Sequence, residues 1–267
     1  MYEHLPEILR TRCVGRVIRE LDSVDSTNTA ARLLPEEGSV PDGTVIIARE
    51  QSAGRGRVGH GWHSPRDAGL YLSVILRPPP GSSMELSSLA VGAAAAQTLR
   101  RHYGLPALIK WPNDVLINGR KVCGVLVERI KTDVYILGVG LNTNWTSQIR
   151  DEMESAMKKT APDSGVLYIP PGALSLALGG NVDHAILLGR LLESIDVAYT
   201  AILRKFYGFI LRRVQRNLFG VGRAVIIGQD TCGVFAGINN DGHALVRRED
   251  GTVLPVQSGE VHFADRD

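Results

Sequence analysis

Asn118-Gly119, set between the apolar runs Val115-Leu116-Ile117 and Val122-Cys123-Gly124-Val125-Leu126-Val127, restricts the fold of this chain more than any other dipeptide in it. A two-residue type I′ turn needs positive φ at both central residues, which Asn and Gly accept at little cost. The flanking runs should therefore pair antiparallel, and an all-parallel sheet is excluded. Upstream, Pro112 disfavours helix at Trp111, so Lys110 should end a strand and Asn113-Asp114 should form a tight turn. Lys121 then falls on the returning strand.

The remaining pattern builds outward from this hairpin. Strands are expected around residues 14–22, 44–49, 70–77, 107–111, 115–117, 121–130 and 133–141. Ser26 suits the N-cap of a short helix through Leu34, and Ser82-Ser83-Met84-Glu85 reads as a capping box opening a helix that ends near His102 and Gly104. A long helix should run from about His184 towards Val214. Helices interspersed with hairpin-linked strands imply an α+β fold, a mixed, largely antiparallel sheet covered by helices. After Asn217 the helical pattern stops, and short strands alternate with Gly228-Gln229-Asp230, Asp241-Gly242 and Asp250-Gly251 turns, as in a small β-barrel. The expected division is a domain of residues 1–217 followed by a smaller one of residues 218–267.

Gly54-Arg55-Gly56-Arg57-Val58-Gly59-His60-Gly61-Trp62 sets two arginines in a backbone with four glycines. Such a segment can wrap an anion, because glycine permits close backbone approach and each guanidinium offers fixed donors to carboxylate or phosphate. It matches GxGxxG literally, yet no strand leads directly into it and no helix follows, so it is a poor dinucleotide fingerprint. A plain exposed loop is the simpler alternative. Lys110 beside Asn113-Asp114 could hold phosphate and its Mg²⁺, although such turns also occur without that duty. In the run from Tyr135 to Asn142, alternation puts Ile136, Gly138, Gly140 and Asn142 on one face. The two glycines leave a bare strip where a flat ring system could lie, or they mark a bulge.

Composition excludes other classes. A formal net charge of +2 is too slight for a nucleic-acid surface. Cys13, Cys123 and Cys232 are widely spaced with no CxxC pairing, which indicates neither a disulfide framework nor a zinc site. His60 and His63 lack a third ligand. The start of the chain, with Glu3, His4, Pro6 and Glu7, is no signal peptide, and Ala93 to Ala96 meets Arg100 and Arg101 too soon for a membrane span. The expectation is a soluble cytoplasmic protein with no membrane contact.

Taken in order, Ser26-Thr27-Asn28, Gln51, the Gly54 to Gly59 run, Lys110-Trp111-Pro112-Asn113-Asp114, Lys121 with Gly124 and Glu128, and Gly138-Val139-Gly140-Leu141-Asn142 resemble the biotin protein ligases. Gly237-Ile238-Asn239-Asn240-Asp241-Gly242 and Ser258-Gly259-Glu260-Val261 are similar to the small C-terminal domain of that family. The likeness covers residues 20–145 and 218–264 and rests on joint order, since no single motif is diagnostic. It implies a class II synthetase-like catalytic domain, of the biotin/lipoate ligase kind, and an SH3-like barrel after it.

The resemblance also implies a two-step reaction. The biotin carboxylate attacks the α-phosphorus of ATP to give biotinyl-5′-AMP and pyrophosphate, and a lysine of a biotin-accepting carrier domain, from a biotin-dependent carboxylase or decarboxylase, then takes the biotinyl group. By resemblance Ser26, Thr27, Asn28 and Gln51 hydrogen-bond the ureido head, a neutral group that polar uncharged side chains suit. Arg55, Gly56 and Arg57 bind biotin and phosphate, Lys121 bridges the biotin carboxyl and the α-phosphate, and Trp62, Gly124, Gly138 and Gly140 complete the biotin site. The catalytic group is Lys121 with Arg55 and Arg57. ATP and its phosphates fall to Arg55, Arg57, Lys110, Trp111, Asn113, Lys121 and Asn142, while Asn113 and Asp114 face Mg²⁺ arriving with ATP. A homodimer is left open.

Some features depart from the family. Val58, His60 and Gly61 stand where many relatives carry further basic residues, so the loop is less cationic. Residues 145–184 match poorly apart from Pro171-Gly172-Ala173-Leu174-Ser175-Leu176, near the adenine by resemblance. With 25 residues ahead of Ser26, a winged-helix repressor domain is not expected, and neither is DNA binding. Residues 54–66 are expected to close as a lid, since a mixed anhydride must be kept from water. A lipoate ligase would share fold and chemistry, but the Gly54 run and the Lys110 to Asp114 cluster suit biotin better. A non-catalytic binder would be expected to lack Lys121 or the arginines.

Overall fold

The Asn118-Gly119 turn takes the conformation its residues demand, with φ of 50° and 75° at the two positions, and the strands on either side pair antiparallel. The computed structural model describes residues 2, 4–37, 40–158, 166–227, 231–257, 259 and 261–264. Its elements begin with α1 (Leu5–Ile8), β1 (Ile18–Val24), α2 (Thr27–Glu37), β2 (Thr44–Gln51), β3 (Gly69–Leu76) and α3 (Ser87–Tyr103). β4 (Leu108–Lys110), β5 (Asp114–Ile117), β6 (Arg120–Lys131) and β7 (Val134–Asn142) follow, then α4 (Ser147–Lys158), α5 (Leu174–Leu178), α6 (His184–Leu203) and α7 (Tyr207–Gln215). The C-terminal strands are β8 (Ala224–Ile227), β9 (Thr231–Ile238), β10 (Ala244–Arg247), β11 (Val253–Val256) and β12 (Val261–Phe263).

The first seven strands form one sheet in the order β1-β2-β3-β7-β6-β5-β4, parallel between β1 and β2 and antiparallel elsewhere. The expected mixed sheet covered by helices is what the chain adopts. The last five strands form a second sheet, β11-β10-β9-β8-β12, antiparallel throughout and of a size that suits a small barrel. Among the described residues no helix is long and apolar enough to cross a membrane.

Alternation along β3 and β7 divides the main sheet into two chemically different faces. Leu70, Leu72, Val74 and Leu76 share a buried cluster with Leu137, Val139 and Leu141, packed beneath α3 and α6. A fully buried side chain of this size contributes about 1.5–3 kcal/mol, so this face carries most of the fold's stability. On the other face Ile75 and Ile136 pack with Ala31 of α2. Further along, that same face turns polar and bare at Ser73, Gly138 and Gly140.

Several boundaries differ from the sequence pattern. The first strand starts at Ile18 rather than residue 14, and α3 starts at Ser87, with Leu86 at its N-cap and no capping side chain. Ser82-Ser83-Met84-Glu85 is therefore no capping box; the Ser87 hydroxyl instead binds the Met84 carbonyl. The long helix divides into α6 and α7, because Lys205 takes φ 59° and ends the first segment. Asp114 is already a strand residue, paired with Lys110 and Gly124. The sequence pattern did not place α4 and α5. Ser258, Glu260 and the Gly228-Gln229-Asp230 turn lie outside the described residues.

Trp111 joins the two sheets. It is 2% exposed, and its indole Nε1 donates to the carbonyl of Gly242 at 2.9 Å, in the turn before β10. Gly242 has φ 82°, and a methyl there would overlap Leu86, so the turn can approach only as glycine. Trp111→Phe leaves a buried carbonyl unpaired, at a cost of about 1–3 kcal/mol. The thermal midpoint should fall by about 2–4 °C per kcal/mol, and an unchanged midpoint would show the contact to be idle.

His184, at the start of α6, is held as a neutral ring. Asn144 Nδ2 donates to Nε2 at 3.2 Å, its own Oδ1 being occupied by the Val182 amide, and Thr143 Oγ1 lies 2.6 Å from the same nitrogen. Burial pushes the ring's pKa below its ordinary 6.5, against the pull of Asp67 and Asp183. A depressed histidine stabilises the fold above its unfolded pKa and loses that contribution as pH falls through its folded one. Acidification from about pH 6.5 should therefore lower the melting temperature, and His184→Gln should flatten that slope. Parallel slopes for the two proteins would exclude this role.

Candidate functional site

The polar, bare part of the sheet becomes the floor of a cleft. Gly124 and Gly140 are cross-strand neighbours in the β6–β7 pair, and Gly138 sits two residues before Gly140. A methyl at Gly124 would lie 2.9 Å from Trp62 Cζ3, and one at Gly140 would overlap the indole. The strip expected to take a flat ring is thus covered by Trp62 itself. Trp62 Nε1 is buried without a hydrogen-bond partner among the described residues.

Around this floor the cleft gathers most of the residues singled out in the sequence. Ser26, Thr27, Asn28 and Gln51 line one end, Arg55, Gly56, Arg57 and Trp62 form the roof, and Asn113, Asp114, Lys121, Gly124, Gly138 and Gly140 complete it. Lys110, Trp111 and Asn142 do not line it. Trp111 belongs to the core, and Asn142, 3% exposed, donates to the Gly172 carbonyl at 2.9 Å.

The roof is a short hairpin. Gly56 N–H donates to His60 C=O at 2.7 Å and Trp62 N–H to Gly54 C=O at 2.8 Å, with a 3₁₀ turn at Arg57–Gly59. A Cβ at Gly54 would overlap the Trp62 carbonyl, so this return of the chain requires glycine there. Arg55 Nη2 reaches Glu128 Oε1 at 3.0 Å, while Arg57 Nη1 lies 3.4 Å from Asn113 Oδ1.

Lys121 points in from β6. Its Nζ lies 2.8 Å from Asp114 Oδ1 and 5.5 Å from the centre of the Trp62 ring. Its backbone is fixed by residues 170–172: Lys121 N–H donates to Pro170 C=O and Gly172 N–H to Lys121 C=O, both at 2.8 Å. Three cations thus face one cleft, against Asp114 within it and Glu128 at its edge.

The opposite end is neutral and tightly bonded. Gln51 Oε1 accepts from Thr27 N–H at 2.8 Å, and Gln51 Nε2 donates to Ser64 Oγ at 2.7 Å, which in turn bonds the Trp62 carbonyl at 3.1 Å. Ser73 Oγ lies 2.8 Å from Thr27 Oγ1 and 2.6 Å from Asn28 Oδ1. Ser64, Ser73 and the contacts of Glu128 were not foreseen. Ser73 is an isolated polar residue in an apolar strand, and its zero exposure is the property that marks it.

A divalent cation finds few ligands here. Among the described residues no three His, Cys, Asp or Glu side chains cluster to hold one. Asp114 is engaged by Lys121 and Asn113 faces Arg57, so the pair fits an ion only when nucleotide phosphates supply the other oxygens.

Residues 20–144 match the model of the Biotin/lipoate A/B protein ligase family. The biotin--[acetyl-CoA-carboxylase] ligase of Mycobacterium tuberculosis is 41% identical over 91% of this chain and 88% of its own length. The ligase of the same name from Paracoccus denitrificans is 31% identical over 91% of this chain and 99% of its own. The biotin protein ligase of Aquifex aeolicus in complex with biotin and ATP superposes with a TM-score of 0.76, at 28% identity, covering 92% of this chain and 97% of that one.

Proposed function

Because the chain belongs to the biotin/lipoate A/B protein ligase family, we propose that it is an ATP-dependent biotin protein ligase. It joins biotin to AMP with release of pyrophosphate, then passes the biotinyl group to a lysine of a carrier domain. The observation that carries this reading is the meeting, in one cleft with a glycine floor, of three cations and a set of neutral hydrogen-bonding side chains.

The chemistry follows from that division. Thr27, Asn28 and Gln51 suit a neutral ureido head, with Ser26 at the same end. The Trp62 indole rests on Gly124 and Gly140 between the two ends, so an extended apolar body takes that place on the floor when the indole swings away. At the cationic end a carboxylate must approach a triphosphate, which crowds negative charge, and the transition state concentrates it. Lys121, Arg55 and Arg57 offset that charge where it develops, in a site that is partly closed to water. Lys121 stands between carboxyl and α-phosphate. By the family resemblance Lys110, Trp111 and Asn142 serve the nucleotide from behind the cleft, since none of them lines it.

Mg²⁺, carried in on ATP and faced by Asn113 and Asp114, would add positive charge at the phosphates. Residues 54–66, which include the hairpin from Gly54 to Trp62, serve as the lid that shields the mixed anhydride. Dependence on ATP fits a cytoplasmic setting. Incubation with biotin, ATP, Mg²⁺ and a biotin-accepting carrier domain should yield a biotinylated lysine seen by mass spectrometry. No modified carrier despite formation of the adenylate would remove the transfer step from the reading.

A further inference from the structure

Glu128 lies outside the cleft lining, yet it is bonded to two residues that line it, Asn28 and Arg55, and to Arg32 beside them. Its Oε2 accepts from Asn28 Nδ2 at 2.7 Å, and its Oε1 lies 3.0 Å from Nη2 of both Arg32 and Arg55. A carboxylate with such partners only accepts hydrogen bonds, so the Asn28 amide must turn its NH₂ towards Glu128. Its Oδ1 then faces Ser73 Oγ at 2.6 Å.

That orientation propagates. Asn28 Oδ1 can only accept, so the single Ser73 proton goes to it. Ser73 Oγ must then accept from Thr27 Oγ1 at 2.8 Å, a shorter approach than the 3.1 Å from Thr27 Oγ1 to Gln51 Oε1. The Thr27 hydroxyl is left with lone pairs alone for the cleft. Gln51 presents its oxygen at the same end, because its NH₂ is engaged by Ser64. Two acceptors side by side match a ligand head with two N–H donors.

We infer that Glu128 is a positioning residue that sets the donor and acceptor polarity of the head-group pocket, and so its preference for a cyclic urea with both N–H groups free. The inference rests on the biotin-ligase reading. A carboxamide at position 128 can donate, which allows Asn28 to flip and the proton order through Ser73 and Thr27 to reverse. The Thr27 proton would then turn to Gln51 Oε1, 3.1 Å away, and occupy one of the two acceptors that meet the ligand's N–H groups.

The test compares affinities for biotin and for biotin methylated on one ureido nitrogen, in the native protein, Glu128→Gln and Ser73→Ala. Steric cost of the methyl is common to all three and cancels in the ratios. The native protein should prefer biotin, and in both variants that preference should fall about tenfold, as expected when one oriented bond in a buried set is lost. Ser73→Ala breaks the chain of bonds while leaving the Glu128–Arg55 pair intact. An unchanged ratio in either variant would overturn the inference, and a fall in Glu128→Gln alone would assign the effect to Arg55. Failure of the native protein to bind biotin would instead overturn the ligase reading.

Discussion

Lys121→Ala is expected to lower the rate of biotin adenylation by about 10²–10³-fold while the protein stays folded, since that is the usual cost of removing one donor aimed at developing charge. The strand does not depend on the side chain. Lys121 is held by backbone bonds to Pro170 and Gly172 and by its place in β6, all of which survive the change. Asp114 is buried and loses the partner of its Oδ1, a cost of about 1–3 kcal/mol that should lower the melting temperature by several degrees without unfolding the protein. Circular dichroism and a single-turnover rate at saturating biotin and ATP separate the two effects. A variant with the native rate would remove Lys121 from the chemistry, and an unfolded one would make it a structural lysine.

Gly138→Ala should weaken biotin binding about 5- to 150-fold. Gly138 is paired on both sides, with Ser73 of β3 and Leu126 of β6, so its backbone cannot retreat. A methyl there would overlap Asn28 Oδ1. Asn28 must then move, and it cannot do so without disturbing its bonds to both Ser73 and Glu128. Inserting a methyl into a packed site of this kind costs about 1–3 kcal/mol, which converts to the quoted range. Gly180→Ala, where nothing lies within 4 Å of the added methyl, serves as the control and should bind normally. Equal affinities for the two variants would show that the floor tolerates side chains.

The parts of the fold that were legible in the sequence are those written locally. Asn118-Gly119 fixed a turn through its own dihedral demands, alternation in the Tyr135 to Asn142 run placed Gly138 and Gly140 on one face, and Gly104, with φ 65°, ends α3 where the pattern stops. The Gly54 run likewise announced a tight return of the chain, found as the hairpin from Gly54 to Trp62. What stayed hidden depends on distance along the chain. Asn28 meets Ser73 across 45 residues and Glu128 across 100, and nothing in the neighbourhood of either serine or glutamate signals the meeting. The packing of the Trp62 indole on Gly124 and Gly140 is likewise a contact that only the folded sheet creates. The break at Lys205 escaped because apolar periodicity continues through it, and the left-handed residue there is not one that prefers that conformation.

The central claim is that this cleft activates biotin. Biotin-dependent exchange of labelled pyrophosphate into ATP, with Mg²⁺ and no acceptor, tests it most directly because only the first half-reaction is read. Exchange with biotin and none with lipoate is the predicted result. Exchange with lipoate instead, or none at all from a protein that still binds biotin, would contradict it.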